Sequence, residues 1–165
     1  VVDRMVTLVA EAVAPLVEDP DIPAPGKLRR LFEEASSWTL ARADLMHAVL
    51  EAWISDENAL MREKYRRHVT RALTPLLVRI ADQGISDGTI RAVSAEGTAR
   101  TIVHLLLGFQ DEAVRLLVAA RAGSVAFDDV WSILSDYPSV IEHAAGLPPG
   151  AFPVIDKETL RPWFD

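Results

Sequence analysis

Residues 84–88 read Gly-Ile-Ser-Asp-Gly, which fits the G-x-S-x-G pattern that carries a nucleophilic serine in hydrolases. That chemistry needs a strand before the serine and a helix directly after it, so that a strained turn lifts the hydroxyl to the edge of a sheet. The residues before Gly84, LTPLLVRIADQ, have helical spacing instead. Ser86 therefore lacks the frame of a nucleophile, and no catalytic residue is expected. The stretch reads better as a helix ending in a left-handed Gly84, then a turn at Asp87-Gly88.

The four histidines raise metal binding as a second chemistry. They form no H-x-x-x-H or E-x-x-H pair, cysteine is absent, and His47 with Glu51 makes only a pair on one helical face. No metal and no cofactor is expected. The one basic cluster, MREKYRRHVTR at residues 61–71, has Glu63 four positions before Arg67 as a partner. Arg62, Arg66 and Arg67 fall on the side away from Tyr65 and Val69, which predicts a solvated face. There is no Gly-rich phosphate loop.

Composition sets the frame for these residues. The chain has 165 residues, half of them hydrophobic, which suits one folded domain with a real core. Its net charge of −7 and pI near 5.1 argue against a grip on a phosphate backbone by this chain itself. The absence of cysteine fits a cytoplasmic protein. The richest apolar stretch is interrupted by His104, Asp111, Glu112 and Arg115, so no membrane span is expected, and the opening residues do not form a signal peptide.

The elements that must position any site are all helices. Val2, Met5, Leu8 or Val9, Ala12 and Leu16 form an amphipathic stripe, so the chain opens inside a helix, and the missing cap implies that residues precede Val1. Prolines end that helix before residues 18–27. A second helix is expected from Pro25 to about Ile54, and its spacing also allows a break near Arg42 to Asp44. A third runs from Glu57 to Gln83 with Met61, Tyr65, Val69, Ala72, Leu76 and Ile80 inward and Pro75 inside it. Ser94 caps a fourth, which reaches Ala122 with Ala99, Ile102, Leu106, Phe109, Ala113, Leu116 and Ala120 as its main stripe. A last helix presents Val130, Leu134, Tyr137, Ile141 and Ala144 inward. Prolines 148, 149, 153 and 162 then make an extended tail pinned by Trp163 and Phe164. No alternation supports a strand. The fold class is all-α, a bundle of five to six helices.

Helix end, double-glycine turn, short link and helix start occur together in PLLVRIADQGISDGTIRAVSAEGTARTIVHLLLG, Pro75 to Gly108. This order resembles the core of the regulatory domain of TetR-family (TetR/AcrR) transcriptional regulators. The connection DP…GKL at Asp19 to Leu28 and the tail GLPPGAF…PW from Gly146 are also similar. The resemblance implies three parts: residues 1–17 as a helix connecting to an absent N-terminal helix-turn-helix domain, 18–146 as a ligand-binding and dimerisation body, and 147–165 as a tail packed on it. It further implies a regulator of the repressor kind, whose operator DNA is reached only through the missing domain.

The resemblance also implies partners and sites. The fourth and last helices would pair with a second copy in a homodimer through Leu106, Phe109, Ala113, Leu116, Trp131, Leu134, Tyr137 and Ile141. A small hydrophobic or aromatic effector would enter the body among Trp38, Met46, Trp53, Met61, Tyr65, His68, His104 and Phe109, which combine apolar surface with scarce hydrogen-bonding groups. The alternative is a stand-alone helical carrier of an apolar molecule that never touches DNA.

Overall fold

The computed structural model describes residues 2–41, 53, 56–153 and 156–164, and among these every regular element is helical. Helix α1 is Val2–Glu18, α2 is Ala24–Leu40, α3 is Ala59–Ser86, α4 is Ala95–Arg121, α5 is Phe127–Ala145 and α6 is Lys157–Leu160. The all-α bundle expected from the periodicity is the fold. No described helix is long and apolar enough to cross a membrane.

Local chemistry fixes the helix ends. Ser94, in extended backbone, accepts the Gly97 N–H at 3.1 Å, and Glu96 lies in the first turn of α4 where the helix dipole favours an acid. Asp87 accepts from the Thr89 N–H at 2.9 Å and its hydroxyl at 2.5 Å, which closes the turn after α3. Those bonds hold the Asp87 carboxyl below its usual range. Pro75 lies inside one continuous α3 and removes the donor that would have met the Arg71 carbonyl.

Helices α1 and α3 run parallel in a constant register. Thr7 Oγ1 lies 3.3 Å from His68 Nε2, Glu18 pairs with Arg79, and Gln83 Nε2 donates to the Ile22 carbonyl at 3.1 Å, all at a separation of 61 residues. Helix α4 returns antiparallel along another side of α3, with Tyr65 meeting Gln110 and Arg66 meeting Asp111. Helix α5 runs back along α4, where the Phe109 and Tyr137 rings meet edge to face at 5.0 Å.

Two apolar clusters hold this arrangement. The larger joins α1, α2, α3, the first half of α4 and the end of α5 through Val13, Leu28, Leu31, Leu77, Ile80 and Ile102. The smaller joins the second half of α4 to α5 and the tail through Leu116, Leu117, Val130, Leu134 and Phe164. Phe164 packs on Phe127, and Phe152 stacks on Phe32 at 4.3 Å, so the tail is pinned at two places. Two buried charges tie the connections. Lys27 Nζ donates to the Val17 carbonyl at 2.6 Å at the C-terminal end of α1, where a cation suits the dipole. Glu142 accepts the Phe152 N–H at 3.0 Å.

Several faces differ from the periodicity. The inward stripe of α1 is Val13 and Val17, with Leu8 and Ala12 exposed, so the true face is rotated from the expected one. On α5 it is Ala145, not Ala144, that is buried after Ile141. Gly84 is not a left-handed helix end. It sits inside α3, buried, and the left-handed residue of the turn is Gly88.

Candidate functional site

The Met61–Arg71 stretch is divided among α1, α4 and solvent, with Glu63, Lys64, Arg67 and Arg71 exposed. Glu63 and Arg67 form the expected pair four residues apart at 3.3 Å. Arg66, however, crosses to Asp111 on α4, and Arg62 donates to the Trp53 carbonyl at 2.6 Å. The reading of this cluster as a solvated face is therefore corrected for Arg62, while Arg66 stays partly in solvent and reaches Asp111 across a seam that spacing within α3 does not encode.

Two open clefts lie along the α3–α4 seam and meet at the Arg66–Asp111 pair. The larger, about 590 Å3, is bordered by Trp53, Arg62 and Asp111 and walled by Val114, Val118 and Ala119 of α4. Trp53 is buried and meets the Tyr65 ring edge to face at 4.8 Å. The Tyr65 hydroxyl donates to Gln110 Oε1 at 3.1 Å. Burial raises the Tyr65 phenol above the usual tyrosine range, so it stays a neutral donor at physiological pH. Beside the cleft, Arg115 Nε donates to Glu112 at 2.9 Å, which lowers the carboxyl and raises the guanidinium. The cleft is open to solvent, with an apolar wall from α4 and a polar rim of Arg62, Asp111, Arg115 and Ser124.

The smaller cleft, about 340 Å3, is basic. Arg66, Arg67, Thr70 and Arg71 of α3 face His104 and the buried Leu107 of α4.

The expected effector residues are divided among different surroundings. Trp53 borders the larger cleft and packs on Tyr65, which does not line it, and Met61 is half-buried on the same helix as Tyr65. His68 turns to Thr7 of α1, Phe109 turns to Tyr137 of α5, and His104 lines the basic cleft. Trp38 belongs to α2, and Met46 lies outside the described residues. The residues that spacing missed are Gln110, Asp111, Val114 and Val118, which recur at three and four along α4 and so were legible as a face, but not as the wall of a cleft.

Of the residues expected at a dimer face, Leu116, Leu134, Phe109 and Ala113 belong to the smaller cluster of one chain, Leu106 and Ile141 pack with the larger one, and Tyr137 meets Phe109. Leu116, Leu134 and Ile141 are buried within the single chain, and Leu106, Phe109, Ala113, Trp131 and Tyr137 are partly buried. The outer apolar surface of these helices consists of Val118, Ile133 and Val140 instead, with Val140 54% exposed. Ser86 is exposed at the end of α3 with no strand before it. Among the described residues no group of three His, Cys, Asp or Glu side chains is placed to hold a metal. No family model matches this chain, and no curated protein or solved structure matches it either.

Proposed function

We propose that this chain is the effector-binding and dimerisation domain of a TetR-like transcriptional regulator, acting as a repressor whose DNA affinity changes when a small hydrophobic or aromatic molecule binds. One observation carries the reading: α3 lines the cleft beside Trp53 through Arg62 on one side and holds α1 in register on another, through His68 and Arg79. A ligand that prefers one position of α3 would move α1, the helix that leads toward the DNA-reading domain. Such a ligand regulates only if it binds the two states unequally. The homodimer belongs to the same proposal, and the exposed Ile133 and Val140, one heptad apart on α5, supply its outer apolar surface.

The deciding experiment is the intact mass and N-terminal sequence of the native protein in its source cell. A basic helix-turn-helix segment ahead of Val1 is the expected result. A mature chain that starts at Val1 would overturn the regulator and leave the carrier of an apolar molecule, a reading that the net charge of −7 favours.

A further inference from the structure

The basic cleft has no part in the apolar effector site just proposed, yet its chemistry is unlike the rest of the molecule. Arg66, Arg67 and Arg71 line it with Glu63, and Asp111 reaches Arg66 from its edge, which leaves one guanidinium in excess in a chain whose overall charge is −7. Arg67 is satisfied by Glu63 and Arg66 by Asp111, while the Thr70 hydroxyl donates to the Arg66 carbonyl at 2.8 Å. Among the described residues, the side chains of Arg71 and His104 have neither an ion-pair nor a hydrogen-bond partner. They border one 340 Å3 space from opposite helices, over the apolar floor of Leu107. A guanidinium offers a planar fork of donors that matches an oxyanion, and a cleft focuses the field of its cations. We infer that this cleft binds a small oxyanion, a carboxylate or a phosphate, held by Arg71 and His104.

The shared Arg66–Asp111 pair adds a second consequence. Asp111 neutralises the Arg66 guanidinium at the edge of the cleft, so removing its charge raises the positive field at Arg71 and His104 and strengthens binding. The site does not depend on the regulator reading, because it stands on the residues of this chain alone.

The test is titration of the full chain with benzoate and, separately, with inorganic phosphate. Binding is read by calorimetry and by the chemical shifts of the arginine side-chain N–H groups. Saturable binding of at least one anion is expected, with the Arg71 signal moving. Benzoate alone identifies an organic acid, phosphate alone a phosphate ligand, and both support the site. Loss of a charge-assisted hydrogen bond in Arg71→Gln should weaken binding about tenfold. Asp111→Asn should tighten it about two- to fivefold, the scale of an exposed ion pair. Both side chains are on the surface, so the variants keep the fold. Absence of saturable binding by either anion, or Arg71→Gln binding as the parent does, overturns the inference.

Discussion

Ile90 packs so closely on Gly84 that a methyl group there would lie 2.5 Å from Ile90 Cγ1 and Cδ1 and 2.9 Å from Ala24 Cβ. The Ile90 N–H also donates to the Gly84 carbonyl at 2.9 Å. The glycine thus lets the link between α3 and α4 fold back against the base of α2. Its role is close approach, although its backbone is an ordinary helical one.

This contact predicts opposite signs for two glycine substitutions inside helices. Alanine gains ~1 kcal/mol of helix propensity over glycine. At Gly108 nothing lies within 4 Å of an added methyl, so Gly108→Ala should stabilise by about 0.5–1 kcal/mol. At Gly84 the overpacking cost of ~1–3 kcal/mol outweighs that gain, because Ala24 and the Ile90 stem cannot swing away. Gly84→Ala should therefore destabilise by about 1 kcal/mol net. Denaturant midpoints measure both, and equal gains at the two positions would contradict the packing.

Lys27 is 2% exposed and places its ammonium on the Val17 carbonyl, closing the end of α1. Lys27→Met keeps most of the buried stem and loses only the charge-assisted hydrogen bond, at a cost of about 1.5–3 kcal/mol. Lys27→Ala also leaves a cavity and should cost more, about 3–5 kcal/mol. Hydrogen exchange should report the loss in the last turn of α1. Equal stability of the parent and the methionine variant would show that the ammonium contributes nothing net.

Tyr65 gives a pH dependence with a definite sign. Burial raises its folded-state value, so the unfolded phenol ionises first. The stability it contributes is fully present below the ordinary tyrosine range and is lost as pH rises through the raised folded value. Tyrosinate absorbance should show one of the two tyrosines ionising late, a step that Tyr65→Phe removes. That variant also loses the hydrogen bond to Gln110, about 1 kcal/mol. A titration with no late step would place the Tyr65 hydroxyl in water.

The helices were legible in the sequence because apolar recurrence adds up over many turns, as it does from Ala99 to Ala120. The exact face was not always legible. In α1 the stripes through Leu8, Ala12 and Leu16 and through Val13 and Val17 both fit helical spacing, and only the parallel packing on α3 selects the second. The motifs at residues 19–28 and 146–152 have a physical content that pattern alone did not supply: Lys27 closes α1, and Glu142 holds Phe152. The site was the least legible part. Arg66 meets Asp111 forty-five residues away, a relation across two helices that no spacing within one helix can reveal.

The proposed dimer is tested most sharply on the outer face of α5. Ile133 and Val140 are 40% and 54% exposed, while Leu116, Leu134 and Ile141 are already buried within one chain. A symmetric pairing of α4 and α5 would cover the first two and leave the other three as they are. Val140→Glu places a charge in that interface, and the dimer should weaken about tenfold or more, about 1.4 kcal/mol or above. Because Val140 is exposed in the single chain, the thermal stability of the monomer should hardly change. Light scattering across a range of micromolar concentrations separates the outcomes. A parent chain that stays monomeric rejects the dimer, and a dimer indifferent to Val140→Glu moves the interface off this face of α5.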